Sequence, residues 1–230
     1  MSMIVLSADF IQSGATTRRE ITIERAIVAG WTGRDPEAVE KHIRELEDLG
    51  VARPASVPIY YRVAAKRLTT ATTIEVSGGD SSGEVEFVLL QAFGQLWVGV
   101  GSDHTDRKVE TYNVTVSKQM CEKPVAPTFW AFSDVADHWD SLKLRSFITE
   151  SGERVAYQDG GVTAMRAPLD LIKGYEGRDA LPENSLMFCG TLAAKGGIRP
   201  APHFAFTLED PVLKRSITHG YDLTCLPVLG

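Results

Sequence analysis

Apolar positions along the chain follow two spacings, one alternating and one helical. IVL at residues 4–6 and the alternating ITIERAIVAG at 21–30 predict short strands, separated by a polar, glycine-containing stretch. A helix follows. Asp35 suits its N-cap and Pro36 its first position, acidic residues crowd the first turn, and Gly50 stands where a helix end favours a left-handed residue. Val39, Ile43, Leu46 and Leu49 make one apolar stripe on this helix. His42 falls inside the stripe's arc, and Glu45, at its edge, is three residues on and within reach of it. Prolines in the segment 53–63 then break the helix and lead into an extended aromatic run, Tyr60 to Arg62.

From Thr69 onward the β pattern dominates. TTATTIEVS reads as a strand, SGGDSSG as a turn, and EVEFVLLQAFGQLWVGVGS as two strands around a turn at 93–95. Further strands are expected at 143–149, 185–190, 202–208 and 221–228, with short helices at 133–140 and 167–174. The pattern predicts a β-rich α+β fold. Residues 1–65 would form an N-terminal segment with strands and the helix, and residues 66–230 the β-rich core.

Composition adds exclusions rather than chemistry. With 230 residues the chain can bury one substantial core, and 43% hydrophobic and 23% charged residues leave no tract biased toward disorder. A formal net charge of -6 gives no basic footprint for nucleic acid. Three widely spaced cysteines, Cys121, Cys189 and Cys225, suit reduced core thiols in a cytoplasm better than a disulfide framework. MSMIVLSADF has no positive region ahead of its short apolar run, and no stretch approaches roughly 18 apolar residues, so neither secretion nor a membrane partner is expected.

Candidate chemistry begins at Glu84 and Glu86, which are one residue apart on a predicted strand and so point the same way. Two like charges side by side call for a cation, although a solvent-facing strand gives the same alternation. Asp103, in GSDHTDR just beyond the next apolar strand, could complete an all-oxygen site. Three carboxylates with open positions suit Mg²⁺ or Mn²⁺, whereas zinc lacks Cys or His partners here. His104 reads either as support for Asp103 or as a strand-end residue. His138, His203 and His219 have no partner pattern, and the turns GGDSSG and KGGIRP lack the spacing of a phosphate loop.

These residues resemble those of the fumarylacetoacetate hydrolase superfamily. Its E-x-E is similar to Glu84-Val85-Glu86, its N-D-x-S/T-x-R turn to the run through Asp103, Thr105 and Arg107, and its following lysine to Lys118. The upstream H-x-x-E, prolines and aromatic-x-Lys segment are similar to His42 and Glu45, Pro54 and Pro58, and Tyr60 to Arg62. Downstream, N-G-E-x-x-Q is similar to SGERVAYQ, and the T-G-T turn to Cys189, Gly190 and Thr191. The order agrees from 42 to 191. The chain departs from the pattern at Arg62 (lysine in the family), Ser102 (asparagine), Lys108 (aspartate) and Leu192 (proline), and the interval from Glu86 to Asp103 is shorter, as in a divergent branch.

The resemblance implies a rolled, mixed β-sheet fold of the superfamily's C-terminal domain type, with a metal site in its mouth and a homodimeric assembly. It implies a small, acylpyruvate-like oxo acid substrate that chelates Mg²⁺ or Mn²⁺ held by Glu84, Glu86 and Asp103. The ion would act as a Lewis acid on the developing enolate. His42 would activate water with Glu45 orienting it, and Lys118 would stabilise the oxyanion. Arg62, Tyr61, Arg107, Gln158 and Thr191 would contact the substrate. Hydrolysis is the expected reaction. Decarboxylation, isomerisation or hydration on the same platform is the alternative, as is a non-catalytic binding protein.

Overall fold

The computed structural model describes residues 3–48 and 53–229. Its longer strands are β1 (Ile4–Gln12), β2 (Ala15–Ile23), β3 (Arg25–Gly30), β4 (Ile59–Val63), β5 (Thr73–Ser77), β6 (Val85–Ala92) and β7 (Gln95–Ser102). They continue with β8 (Thr128–Ala131), β9 (Lys143–Glu150), β10 (Glu153–Gly161), β11 (Ser185–Thr191), β12 (His203–Asp210) and β13 (Arg215–Leu226). The helices are α1 (Pro36–Asp48), α2 (Arg107–Glu110), α3 (Val114–Met120) and α4 (Pro168–Gly174).

Eight strands form the main sheet, in the order β2-β1-β8-β7-β6-β11-β3-β4, and five form a second, β10-β9-β12-β13-β5. Both are mixed. The pairs β1–β8, β3–β11 and β5–β13 are parallel and the remaining pairs antiparallel. The sequence division at residue 65/66 runs through the main sheet, which takes β1 to β4 from one side and its other four strands from the other.

Burial follows strand alternation. Odd positions of β6, Val85, Phe87 and Leu89, join the core against the second sheet, where Phe204, Phe206, Leu208 and Tyr221 project. Even positions, Val88, Leu90 and Ala92, join a second core with Leu6, Phe10 and Ile23 of β1 and β2 and Tyr61 and Val63 of β4. The main sheet therefore curls so that strands from both its edges share one apolar interior. This is why β6 is apolar on both faces, and Glu84 and Glu86 lie at the end of its inward face.

Several sequence expectations extend in the structure. The stretch 7–20 belongs to the β1–β2 hairpin, because the first six residues of β2 are solvent-exposed on both faces and can be polar. The turns Ser13-Gly14, Phe93-Gly94 and Ser151-Gly152 all have positive φ at both residues, the two-residue form that matches strand twist. β10 was hidden because its burial is uneven, and β13 begins earlier than expected, at Arg215. The expected helix at 133–140 is two 3-10 turns, Phe132–Asp134 and Ala136–Ser141. Asp35 caps α1, its Oδ1 accepting from the N–H groups of Glu37 and Ala38 at 2.9 and 3.3 Å. Gly50, expected at the helix end, lies outside the described residues. Cys121 and Cys189 are buried free thiols, but Cys225, read as a core residue, is exposed on the last strand. Among the described residues no helix is long and apolar enough to cross a membrane.

Candidate metal centre

Glu84, Glu86 and Asp103 each bring a carboxylate oxygen within 4.8 Å of the others. The β6–β7 hairpin produces this meeting, since Val85 pairs with Ser102 and Glu86 with Gly101, which places the start of one strand beside the end of the other. The Asp103 N–H donates to the Glu84 carbonyl at 3.0 Å and closes the mouth of the hairpin. Gly101 admits the close approach of β11: a Cβ there would lie 2.7 Å from Phe188 and 2.9 Å from the Pro124 carbonyl. On the other flank β11 bulges between Phe188 and Thr191, and the Gly190 N–H donates to Glu86 Oε2 at 2.7 Å. A Cβ on Gly190, whose φ is +99°, would come within 1.8 Å of Thr32 Oγ1.

Three cations pack around the carboxylates. Lys118, on α3, reaches Asp103 Oδ2 at 2.5 Å and Glu84 Oε2 at 3.7 Å. Arg107 pairs with Glu84 at 3.2 Å and Glu110 at 2.9 Å, while its Nε donates to Ser82 Oγ at 2.7 Å. Lys123 lies 2.9 Å from Asp103 Oδ1 and donates to the His104 carbonyl at 2.5 Å. Asp103 Oδ1 nevertheless lacks a well-directed hydrogen bond. At this oxygen Lys123 supplies charge more than direction, and lone pairs remain on the carboxylate. Side chains in the turn are set by local caps: Asp106 accepts from the Val109 N–H, and Asn113 from the Val116 N–H, each at 2.9 Å.

The three acids have unequal electrostatics. Burial pushes the Asp103 carboxyl up, but Lys118 and Lys123 more than reverse this and hold it well below the usual carboxylate range. For Glu86, burial followed by the charges of Asp103 and Glu84 raises the carboxyl well above its ordinary value. No lysine or arginine among the described residues ion-pairs with it. Burial depresses the Lys118 ammonium, but Asp103, Glu84 and Glu110 outweigh it and keep the group protonated. A divalent cation among these oxygens would meet the need that Glu86 expresses. Hard oxygen donors without Cys or His fit Mg²⁺ or Mn²⁺.

The remaining expected site residues divide by position. Gln158 is buried with all four amide valences used: its Oε1 accepts from Val85 N–H and Ser146 Oγ, and its Nε2 donates to Thr191 Oγ1 and the Leu192 carbonyl. Thr191 also donates to the Val85 carbonyl at 2.8 Å. This pair braces the strand between the two glutamates. Tyr61 is buried, and its phenol is raised by burial and opposed by the nearby Lys118 charge. Arg62 is exposed on the opposite face of β4. Backbone at His42 and Glu45 belongs to α1, but both side chains lie outside the described residues.

Sequence reasoning missed Lys123 and Tyr221. Tyr221 OH lies 2.9 Å from Ser102 Oγ and 2.8 Å from His104 Nδ1, and Ser102 Oγ accepts from the Glu84 N–H at 3.2 Å. His104 thus supports the turn. Burial, then Lys123 and Arg107, push its imidazole down to about 3, so it is neutral at pH 7. Nothing local announces Tyr221, because its partners are more than 100 positions away in sequence.

Solved structures share this curled mixed-sheet fold. Cg1458 superposes with a TM-score of 0.62 at 13% identity, covering 93% of this chain and 83% of that chain; with inhibitor the values are 0.64, 14%, 93% and 84%. A 2-keto-3-deoxy-D-arabinonate dehydratase complexed with magnesium and 2,5-dioxopentanoate gives 0.61 and 14%, covering 90% and 74%. The chain belongs to the family described as "Protein of unknown function (DUF2848)", whose model matches residues 29–221. No curated protein sequence matches it.

Proposed function

We propose that the protein is a divalent-metal-dependent enzyme acting on a small 2-oxo acid, with Glu84, Glu86 and Asp103 as ligands of Mg²⁺ or Mn²⁺. The observation that carries this reading is the convergence of three carboxylates of which one, Glu86, has no ion pair among the described residues and has its pKa held well above the ordinary value by burial and by the other two. When bound, the ion supplies Lewis-acid polarisation of a carbonyl. The chain's own groups do the rest. Lys118, protonated and slightly exposed at the mouth, donates to the oxygen on which negative charge develops. Arg107 fixes Glu84, and Gln158 with Thr191 holds the Val85 backbone between the glutamates. Tyr61 offers its hydroxyl from β4, at the edge of the sheet. In this reading His42 removes a proton from water and Glu45 orients it, and Arg62 belongs to the path by which an anionic substrate arrives. Hydrolysis of a carbon–carbon bond in an acylpyruvate-like acid is the leading reaction. Loss of water from a hydroxylated 2-oxo acid is the second, supported by the dehydratase that shares the fold. The assembly belonging to this reading is a cytoplasmic homodimer.

Calorimetric titration of chelator-treated protein with Mg²⁺ and Mn²⁺ tests the first step, and absence of binding sinks it. Product analysis on a panel of acylpyruvates and hydroxylated 2-oxo acids separates hydrolysis from dehydration. Metal binding without turnover across the panel would favour a binding protein. In His42→Ala, turnover is expected to fall while metal affinity holds; unchanged turnover removes His42 from the chemistry.

A further inference from the structure

We infer that Lys123 is a built-in counter-cation of the acidic centre, which lets the carboxylates pack without a metal and keeps a bound divalent ion exchangeable. The inference rests on the metal reading of Glu84, Glu86 and Asp103. Lys123 has no exposed surface and ranks among the largest fully buried side chains of the protein. A buried ammonium is costly unless it is paired and hydrogen-bonded. Here it has both, with Asp103 Oδ1 at 2.9 Å and the His104 carbonyl at 2.5 Å.

Its position is fixed by backbone. Lys123 and Pro124 pair in parallel with Leu68 and Thr69, and the Val125 N–H donates to the Thr69 carbonyl at 2.8 Å. Lys118 and Lys123 approach opposite oxygens of Asp103. They differ in access: the Lys118 side chain is 9% exposed and Lys123 wholly enclosed, so only Lys118 can meet a substrate. Lys123 is therefore a positioning residue. Any divalent ion held by Asp103 would lie close to the Lys123 charge, and like-charge repulsion in a buried site weakens its retention. The same charge relieves the repulsion that three carboxylates would otherwise exert on one another.

Thermal melting and Mg²⁺ calorimetry on wild type and Lys123→Gln, with Lys123→Met as a second neutral variant, test the inference. Wild type is expected to stay folded in EDTA with little change in melting temperature. The neutral variants are expected to melt much earlier in EDTA, to recover in excess Mg²⁺, and to bind Mg²⁺ at least about tenfold more tightly. Unfolding of wild type on chelation, or an equal or weaker Mg²⁺ affinity in the variants, overturns it. If wild type binds neither Mg²⁺ nor Mn²⁺, the metal reading fails by itself. The melting difference in EDTA then still reports on the counter-cation, and equal melting of wild type and variants rejects it.

Discussion

Asp210 and Glu86 are both buried acids in the same fold, and they have opposite surroundings. Asp210, 1% exposed, is saturated: its Oδ1 takes the Val212 and Leu213 N–H groups and His138 Nε2 at 3.0 to 3.1 Å, and its Oδ2 takes Arg215 Nε at 3.1 Å. Arg215 in turn stacks on Trp130 with its guanidinium carbon 4.3 Å from the ring centroid. Glu86, 3% exposed, accepts a hydrogen bond from the Gly190 N–H and faces two other carboxylates. Donors surplus to an acid make a strut; acids surplus to their donors make a cation site. Burial alone does not tell the two apart.

That contrast can be broken by substitution. Asp210→Ala should cost about 3–5 kcal/mol in urea denaturation, since it strands His138, Arg215 and two amides, and metal affinity should stay unchanged. A small cost would mean the strut carries no load. Glu86→Gln should act the other way, lowering Mg²⁺ affinity by roughly 100-fold or more, beyond what loss of an outer-sphere partner costs, while chelated protein keeps or gains stability. Retained Mg²⁺ affinity in this variant would remove Glu86 from the ligand set.

Gly190→Ala addresses the one donor that Glu86 has among the described residues. The positive φ and the clash with Thr32 should lower stability by about 1–3 kcal/mol and weaken Mg²⁺ binding together, read by melting and calorimetry on the same sample. The smallest effect lies in acid. Burial raises the Asp210 carboxyl, but the Leu213 N–H, His138 and Arg215 bring it below its ordinary value of 3.8. Its folded pKa being depressed, it contributes stability above pH 3.8 that is lost as pH falls through the folded value. Asp210→Asn should flatten that acid limb, and an unchanged limb would assign it to other groups.

Much of the centre was legible because it is local. Glu84 and Glu86 share a strand face by alternation, and Asp103 follows the partner strand of the same hairpin. The β6–β7 hairpin and α1 were legible for the same reason, as periodicity and turn chemistry act over a few residues. Gln158 was visible as a motif residue, but its use was not: only the approach of β6, β9 and β11 shows that its amide is spent on Val85, Ser146, Thr191 and Leu192. Arg62 was visible as a charge in an aromatic run, and its outward face follows from which side of β4 the sheet encloses.

The sequence by itself determined the acidic hairpin, the strand-rich character and the Asp35-capped helix, because alternation, capping and turn preference are short-range forces. Tertiary structure alone decided that β1 and β2 curl over toward β4 to make an enclosed interior ending at Glu86. It also decided that Lys123 pairs with Asp103, that Tyr221 ties Ser102 to His104, and that Asp210 is saturated while Glu86 is not. Each of these depends on which donors and charges distant strands bring to a buried oxygen, and desolvation makes that supply decisive only once the chain has closed around it.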